Sequence, residues 1–346
     1  MQVISGVFSK KVVPMKSQIK GIGHALPDRI MTNEELETMV DTSTEWIIER
    51  TGILERRIAG VDTAASDLSY EAALMALERS GMQAKDLDLI IVGTSTPDML
   101  FPSTACIVQD RLGARNVPAF DLEAGCTGFV YSLVVAEKFL LSPEYNNILV
   151  VGVDICSRII DYSDRNTCVL FGDGAGAAIL GKGSGDTGIL GTYLGADGSG
   201  GQFLCMPGGG SARPASHESV EQGLHCIKMD GSEIFRFATR ITVDISEKLL
   251  GAAGYKYEDV DLFVPHQSNM RIIKSAMRRM KIPEEKTVTS VKQFGNMSAA
   301  CLPVALSIYE EEGKLQEGDL VLLAAFGAGL SYGGALLRWG RDKDVF

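Results

Sequence analysis

Apolar positions along this chain fall into two patterns. The first is a set of short, nearly unbroken apolar runs. They are Leu89-Ile90-Ile91-Val92-Gly93, Val117 to Phe120, Ile148-Leu149-Val150-Val151-Gly152-Val153 and Val321 to Phe326, with Gln18 to Gly23 a further strand candidate. Runs this short and this continuous predict strands buried on both faces, the habit of parallel strands covered by helices. The second pattern has helical spacing. Ala65 to Ser80 carries it as a long helix, and Thr32-Asn33-Glu34-Glu35-Leu36 is a capping signal that opens another. Phe129 to Leu140 is apolar almost all round, which predicts a helix buried on every side. Strands alternating with helices predict an α/β chain.

This pattern occurs twice. At an offset of 173 residues, Gly81, Asp86, Asp88 and Leu89 fall on Gly254, Asp259, Asp261 and Leu262. The same offset lays the strand at 148–153 over 321–326, and the turn at Cys126 close to Gly295-Asn296-Met297-Ser298. The duplication predicts two related halves, residues 15–186 and 187–346, after an extension over residues 1–14. Parallel strands present their carboxyl ends to one crevice. Cys126, His266 and Asn296 each follow a strand at that end, so a pseudo-twofold predicts a single site at the seam.

Composition narrows the function. The net charge of −11 argues against nucleic acid as a partner. No apolar run reaches the roughly 20 residues that span a bilayer, and the first residues lack the order of a signal peptide. The seven cysteines are odd in number, scattered and without a Cys-x-x-Cys. This predicts a cytoplasmic protein with neither a zinc site nor a disulfide framework.

The candidate chemistry sits at three places. Cys126 lies where a strand turns into the buried helix, among the small residues Ala124, Gly125 and Gly128. A helix N-terminus favours thiolate, so Cys126 is a candidate nucleophile; a buried structural thiol is the other reading. His266 ends an apolar strand, unlike His24, His217 and His225, and a Cys/His pair across the repeat could activate a thiol. Asn296 is either a turn residue or a third member of that site. Gly172-Asp173-Gly174-Ala175-Gly176 lacks the spacing of a dinucleotide fingerprint or a P-loop and reads as a tight turn before a strand at 177–180. Arg271 to Lys281 carries five positive charges and no acid, with Arg271, Lys274 and Arg278 on one helix face. It is either a solvated face or a basic rim that receives an acidic, phosphate-bearing or protein-borne substrate.

Taken together, these motifs resemble beta-ketoacyl-acyl carrier protein synthase III, a family of the thiolase-like superfamily. The resemblance covers residues 16–339. It rests on Asp41 to Ile47, Arg50-Thr51-Gly52-Ile53, the Cys126 turn, Phe171 to Gly176, Pro265-His266-Gln267-Ser268-Asn269, Gly295 to Ala300, and Phe326-Gly327-Ala328-Gly329. It implies a thiolase-like fold, two pseudo-symmetric halves packed as a layered αβαβα sandwich. It also implies Cys126, His266 and Asn296 as a catalytic triad, with the Cys126 and Ala328 backbone N–H groups as oxyanion donors. Trp46 and Arg165 match positions that sandwich the adenine of coenzyme A, Arg50 a further coenzyme A contact, and Gly231 and Asn269 the pantetheine arm. Phe101, Phe171, Met206 and Met229 match an acyl pocket, with Phe101 reaching across a homodimer. Arg236, Gln267, Arg271, Arg278 and Arg279 match a docking surface for the carrier protein. Met297, Ser268 and Asp230 depart from the usual residues.

The implied reaction joins a short-chain acyl-CoA, acetyl-CoA above all, to malonyl-acyl carrier protein with loss of carbon dioxide, initiating fatty acid synthesis. It uses no metal and no redox cofactor. A ketide synthase on other CoA thioesters, a carrier-binding scaffold and a thioester hydrolase are the alternatives. Asn at 296 argues against the Cys-His-His elongating synthases.

Overall fold

The computed structural model describes residues 16–183 and 185–341, so the extension expected over residues 1–14 lies outside the described residues. The first half runs β1 (Lys16–Ala25), α1 (Ala65–Ser80), β2 (Leu89–Gly93), β3 (Ala119–Leu122), α2 (Gly128–Leu140), β4 (Asn147–Ile155) and β5 (Asp173–Gly183). The second runs β6 (Gly188–Ala196), α3 (Gly231–Ala253), β7 (Leu262–Pro265), α4 (Met270–Met280), α5 (Cys301–Glu311), β8 (Leu320–Gly327) and β9 (Ser331–Arg338). Shorter elements fill the connections, including a helix at Thr44–Thr51.

The strands form one sheet per half, ordered β1-β5-β4-β2-β3 and β7-β8-β9-β6. The apolar α2 and α5 lie between the two sheets: Phe129, Leu133 and Leu140 from one, and Cys301, Leu302 and Leu306 from the other, share a core with residues of both. The helix α1 covers the outer face of the first sheet, and α3 with α4 covers that of the second. Helix, sheet, helix pair, sheet, helix is the layered sandwich expected. The repeat is visible at matching points. Both outer helices end on a left-handed glycine, Gly81 at φ +71° and Gly254 at φ +77°, because a C-cap in that conformation carries little penalty without a Cβ.

Strand direction departs from expectation. β2 is parallel to β3 and β4, and β7 to β8. β1, β5, β6 and β9 run antiparallel to their neighbours, so both sheets are mixed. An unbroken apolar run reports burial on both faces, and direction is set by the connections. The segment at 172–176 is also not merely a turn, since β5 begins at Asp173. A Cβ on Gly176 would sit 2.7 Å from Pro303 Cβ, so this glycine lets α5 pack directly on the strand.

Candidate active site

Three turns meet where the halves join. After β3 the chain turns through Gly125-Cys126-Thr127 into α2, with Gly125 at φ +55°. After β7 it reaches His266, whose N–H donates to the Ala324 carbonyl of β8 at 2.8 Å. Residues 287–288, joined to Phe263 of β7 by a parallel bridge and a 2.9 Å hydrogen bond, stand where the first half has β3, and Asn296 follows them. Its backbone is clamped: Asn296 N–H donates to Leu170 O at 2.9 Å, and Gly172 N–H to Asn296 O at 3.0 Å. The Asn296 Oδ1 accepts from Ser298 N–H at 2.9 Å and from Cys301 Sγ at 3.6 Å. Its amide nitrogen is thereby oriented as a donor.

Cys126, His266 and Asn296 line one cavity of about 210 Å³, with Trp46, Arg50, Gly231 and Asn269 also on its wall. Cys126 lines a second cavity as well, of about 280 Å³, together with Met206, Phe171, Ser298, Asp154 and Ala328. The nucleophile candidate thus stands at the junction of two chambers, and Phe171 faces both. Close packing holds it there. A Cβ on Gly327 would lie 2.6 Å from Cys126 N, so Gly327→Ala is expected to cost about 1–3 kcal/mol through overpacking. A chemical-denaturation midpoint identical to that of the parent would contradict this.

The other expected residues divide. Asn269 caps α4, its Oδ1 accepting from Arg271 N–H at 2.8 Å, and its Nδ2 donates to Arg50 O at 3.1 Å. The Arg165 guanidinium lies 4.7 Å from the Trp46 ring centroid and donates to Asp41 O at 2.9 Å. That stack leaves no room for a ring between the two, so an adenine sandwich requires Arg165 to swing away. Met229 lines the first chamber and not the deeper one that holds Phe171, Met206 and Ser298. Phe101 is 83% exposed and lines neither chamber of its own chain.

The docking set needs one correction. Gln267 is fully buried, with its amide donating to Pro265 O at 2.8 Å and Val288 O at 3.0 Å, while its oxygen accepts from Val291 N–H at 3.1 Å. It braces the strand ends and cannot face a partner. Arg271, Lys274 and Arg278 do line one surface groove, and Phe235, which carries the Arg271 guanidinium 5.5 Å from its ring centroid, belongs to both that groove and the first chamber. Arg279 instead donates to Thr239 O at 2.7 Å, and Arg236 pairs with Glu233 on another groove.

Burial sets the resting protonation. Desolvation pushes the Cys126 thiol up to about 12, against a downward pull from the Ser298 hydroxyl. The lowered thiol expected at a helix N-terminus is therefore overturned: a fully buried thiolate loses more in hydration than the first helical turn returns. Desolvation also lowers His266 to about 3, so its imidazole is neutral at ordinary pH. Its Nδ1 has no hydrogen-bond partner among the described residues. Two contributors escaped the sequence reading. Ser298 Oγ lies 3.3 Å from Cys126 Sγ, and the buried Asp154 stands at the carboxyl end of β4 beside both. Asp154 obeys the same strand-end rule as the three residues singled out, and that rule could have found it.

A duplicated αβαβα sandwich with a cysteine, a histidine and an asparagine converging at the seam defines a thiolase-like condensing enzyme. Residues 120–198 match the family described as 3-Oxoacyl-[acyl-carrier-protein (ACP)] synthase III, and residues 250–339 match its C-terminal counterpart. The beta-ketoacyl-[acyl-carrier-protein] synthase III of Syntrophomonas wolfei is 72% identical over 332 residues, 96% of this chain and 100% of that protein. That of Natranaerobius thermophilus is 53% identical, covering 93% and 99%. The crystal structure of 3-oxoacyl-[acyl-carrier-protein] synthase III from Aquifex aeolicus superposes with a TM-score of 0.87 at 42% identity, covering 93% of this chain and 100% of that one. The chain belongs to the 3-oxoacyl-[acyl-carrier-protein] synthase III family.

Proposed function

We propose that this enzyme condenses a short-chain acyl-CoA, acetyl-CoA foremost, with malonyl-acyl carrier protein, giving a 3-oxoacyl-carrier protein and carbon dioxide and so initiating fatty acid synthesis. One observation carries the residue assignment: Cys126 stands between an entrance chamber that also holds His266 and Asn296 and a deeper chamber behind it. A thioester entering from outside meets the sulfur with its leaving thiol in the first chamber and its acyl group directed toward the second. The Cys126 sulfur attacks the thioester carbonyl, the carbon–sulfur bond to coenzyme A breaks, and the thiol leaves by the way it came. The Cys126 and Ala328 backbone N–H groups are assigned to the oxyanion formed at that carbonyl.

Malonyl-carrier protein then enters the vacated chamber. Breaking the bond to its carboxylate releases carbon dioxide and places charge on the thioester oxygen. Neutral His266, carrying its proton on Nε2, and the Asn296 amide are assigned to hold that oxygen in a site shut off from water. The enolate carbon attacks the acyl-cysteine, a carbon–carbon bond forms, and the Cys126 sulfur is released. Trp46, Arg50, Arg165, Gly231 and Asn269 are assigned to coenzyme A and its pantetheine arm. Phe171 and Met206 are assigned to the acyl group. The exposed apolar stretch Met99-Leu100-Phe101 supports a homodimer in which Phe101 reaches the partner's deeper chamber. Intact mass after incubation with acetyl-CoA, and again after malonyl-carrier protein, tests the reading. An acyl adduct that forms and then discharges supports it; no adduct, or discharge by water alone, overturns it.

The basic groove separates the two substrates. Steering by exposed charge weakens with salt, as the Debye length falls from about 10 Å at 0.1 M to about 3 Å at 1 M. Charge reversal at Arg271 or Arg278 is expected to lower kcat/KM for malonyl-carrier protein and remove most of its salt sensitivity, with Arg271 the stronger. Acylation by free acetyl-CoA should change little. Equal loss in both half-reactions would assign the groove to structure or to the CoA phosphates instead.

A further inference from the structure

The acyl-transfer reading leaves one proton without a destination. The Cys126 thiol must lose its hydrogen before or as it attacks, and the imidazole across the entrance chamber is a very weak base in its buried setting. On the other side of the sulfur the deeper chamber offers a second acceptor. Ser298 Oγ lies 3.3 Å from Cys126 Sγ. Its hydroxyl also hydrogen-bonds the Asp154 carboxylate. Asp154 is completely buried, yet it accepts from Ser95 N–H at 2.8 Å, Ala299 N–H at 3.1 Å, Thr96 Oγ1 at 3.0 Å and Thr94 Oγ1 at 3.2 Å. Desolvation raises the Asp154 carboxyl above its ordinary value against the pull of these donors, which makes it a better proton acceptor than an exposed carboxylate.

The backbone singles out the residue between them. Ser298 holds φ at +49°, a conformation that favours glycine, and the repeat places it opposite Gly125 at φ +55°. One half of the molecule uses glycine at this turn; the other keeps a buried side chain there despite the backbone cost. That side chain points at the reacting sulfur.

We propose that Cys126 passes its proton through the Ser298 hydroxyl to Asp154. A hydroxyl can accept from S–H while donating its own proton to a carboxylate. The S–H bond breaks, Ser298 takes that proton, and its own moves to Asp154, leaving a thiolate and a neutral carboxylic acid. The net charge of the site is unchanged, so no additional ion is buried. The thiolate forms its bond to the acyl carbon, the bond to the coenzyme A sulfur breaks, and coenzyme A is protonated by solvent as it departs. Asp154 keeps the proton through the acyl-enzyme state. When condensation releases the Cys126 sulfur, the proton returns through Ser298 and restores thiol and carboxylate. A further consequence is that Asp154 is neutral when the anionic malonyl group arrives.

The titratable groups facing this relay are Glu123 beside the Cys126 turn, Cys156 at the end of β4, Cys205 across the deeper chamber, Cys301 on α5 and His266 at the entrance. Glu123 is held by Ser95 Oγ at 3.1 Å and Gly125 N–H at 2.9 Å, away from the sulfur's own hydrogen bond.

Iodoacetamide reads the relay without any acyl substrate, with peptide mapping to follow Cys126 alone. The wild-type chain should alkylate appreciably at pH 7, with a shallow rise toward alkaline pH. Ser298→Ala and Asp154→Asn should each be slower at pH 7 by about a hundredfold, the lower end of general-base effects. Each should then recover about tenfold per pH unit as hydroxide replaces the relay. The double variant should fall no further than either single one, since both break one chain. Ser298→Thr, which keeps the hydroxyl, should recover most of the rate. Wild-type rate and slope in either single variant, additive losses in the double one, or no recovery in Ser298→Thr would overturn the relay. A wild-type chain that shows this Ser298 dependence but accepts no acyl group from acyl-CoA would sustain the relay and sink the acyl-transfer reading on which its role rests.

Discussion

Cys126→Ala is expected to abolish the acyl-enzyme and to cut condensation by about 10⁴-fold or more, the scale seen when a covalent nucleophile is deleted. The remaining six cysteines offer no substitute. Cys156, Cys168 and Cys301 are buried, and burial raises the thiol of each. Cys106 is exposed but stands on a helix outside both chambers, Cys226 lines neither chamber, and Cys205 lines only the deeper one. Mass mapping after acetyl-CoA should therefore find the label on Cys126 in the parent chain and on no cysteine in the variant. The same variant should still decarboxylate malonyl-carrier protein, because His266 and Asn296 do not depend on the sulfur for their position: one hangs from the β7–β8 hydrogen bonds, the other from Leu170 and Gly172. An acyl label on another cysteine, or loss of decarboxylation along with acylation, would refute this division of labour.

His266→Ala and Asn296→Ala form the converse pair. Each is expected to form the acyl-enzyme yet lose about a hundredfold to a thousandfold in carbon dioxide release, the usual cost of one oxyanion donor. The pH dependence adds a sharper check. Burial lowers His266 to about 3, so a free histidine's transition near 6.5 should be missing from the decarboxylation rate. The rate should stay level as pH falls through that value. Stability carries the same sign. The folded pKa lies below the unfolded one, so the contribution is complete above about 6.5 and is lost progressively as pH falls toward 3. A decarboxylation limb near 6.5, or near-normal release in both variants, would remove His266 and Asn296 from the enolate site.

Much of this arrangement was legible in the sequence. The unbroken apolar runs and the helical spacing marked β2, β4, β8, α1 and α2, because burial on two faces or all round leaves a direct record in residue type. The offset repeat revealed two halves, since duplicated folding units keep their turn glycines and core positions aligned. The strand-end rule then brought Cys126, His266 and Asn296 to one seam. Other features have no such record. Strand direction depends on how connections cross a sheet, so β1, β5, β6 and β9 turned out antiparallel. Gln267 is polar in the sequence, and only the fold shows its amide consumed by backbone groups at the strand ends. The protonation of Cys126 leaves no such record for a related reason: a helix N-terminus is a local feature, whereas desolvation sums the whole surroundings. Ser298 and Asp154 lie more than 140 residues apart along the chain and meet beside the sulfur only because α2 and α5 pack between two sheets. The sequence by itself determined the elements, the duplication and the residues able to do the chemistry. The tertiary structure alone decided which of them are dry, which hydrogen bonds they have left, and therefore where each proton rests.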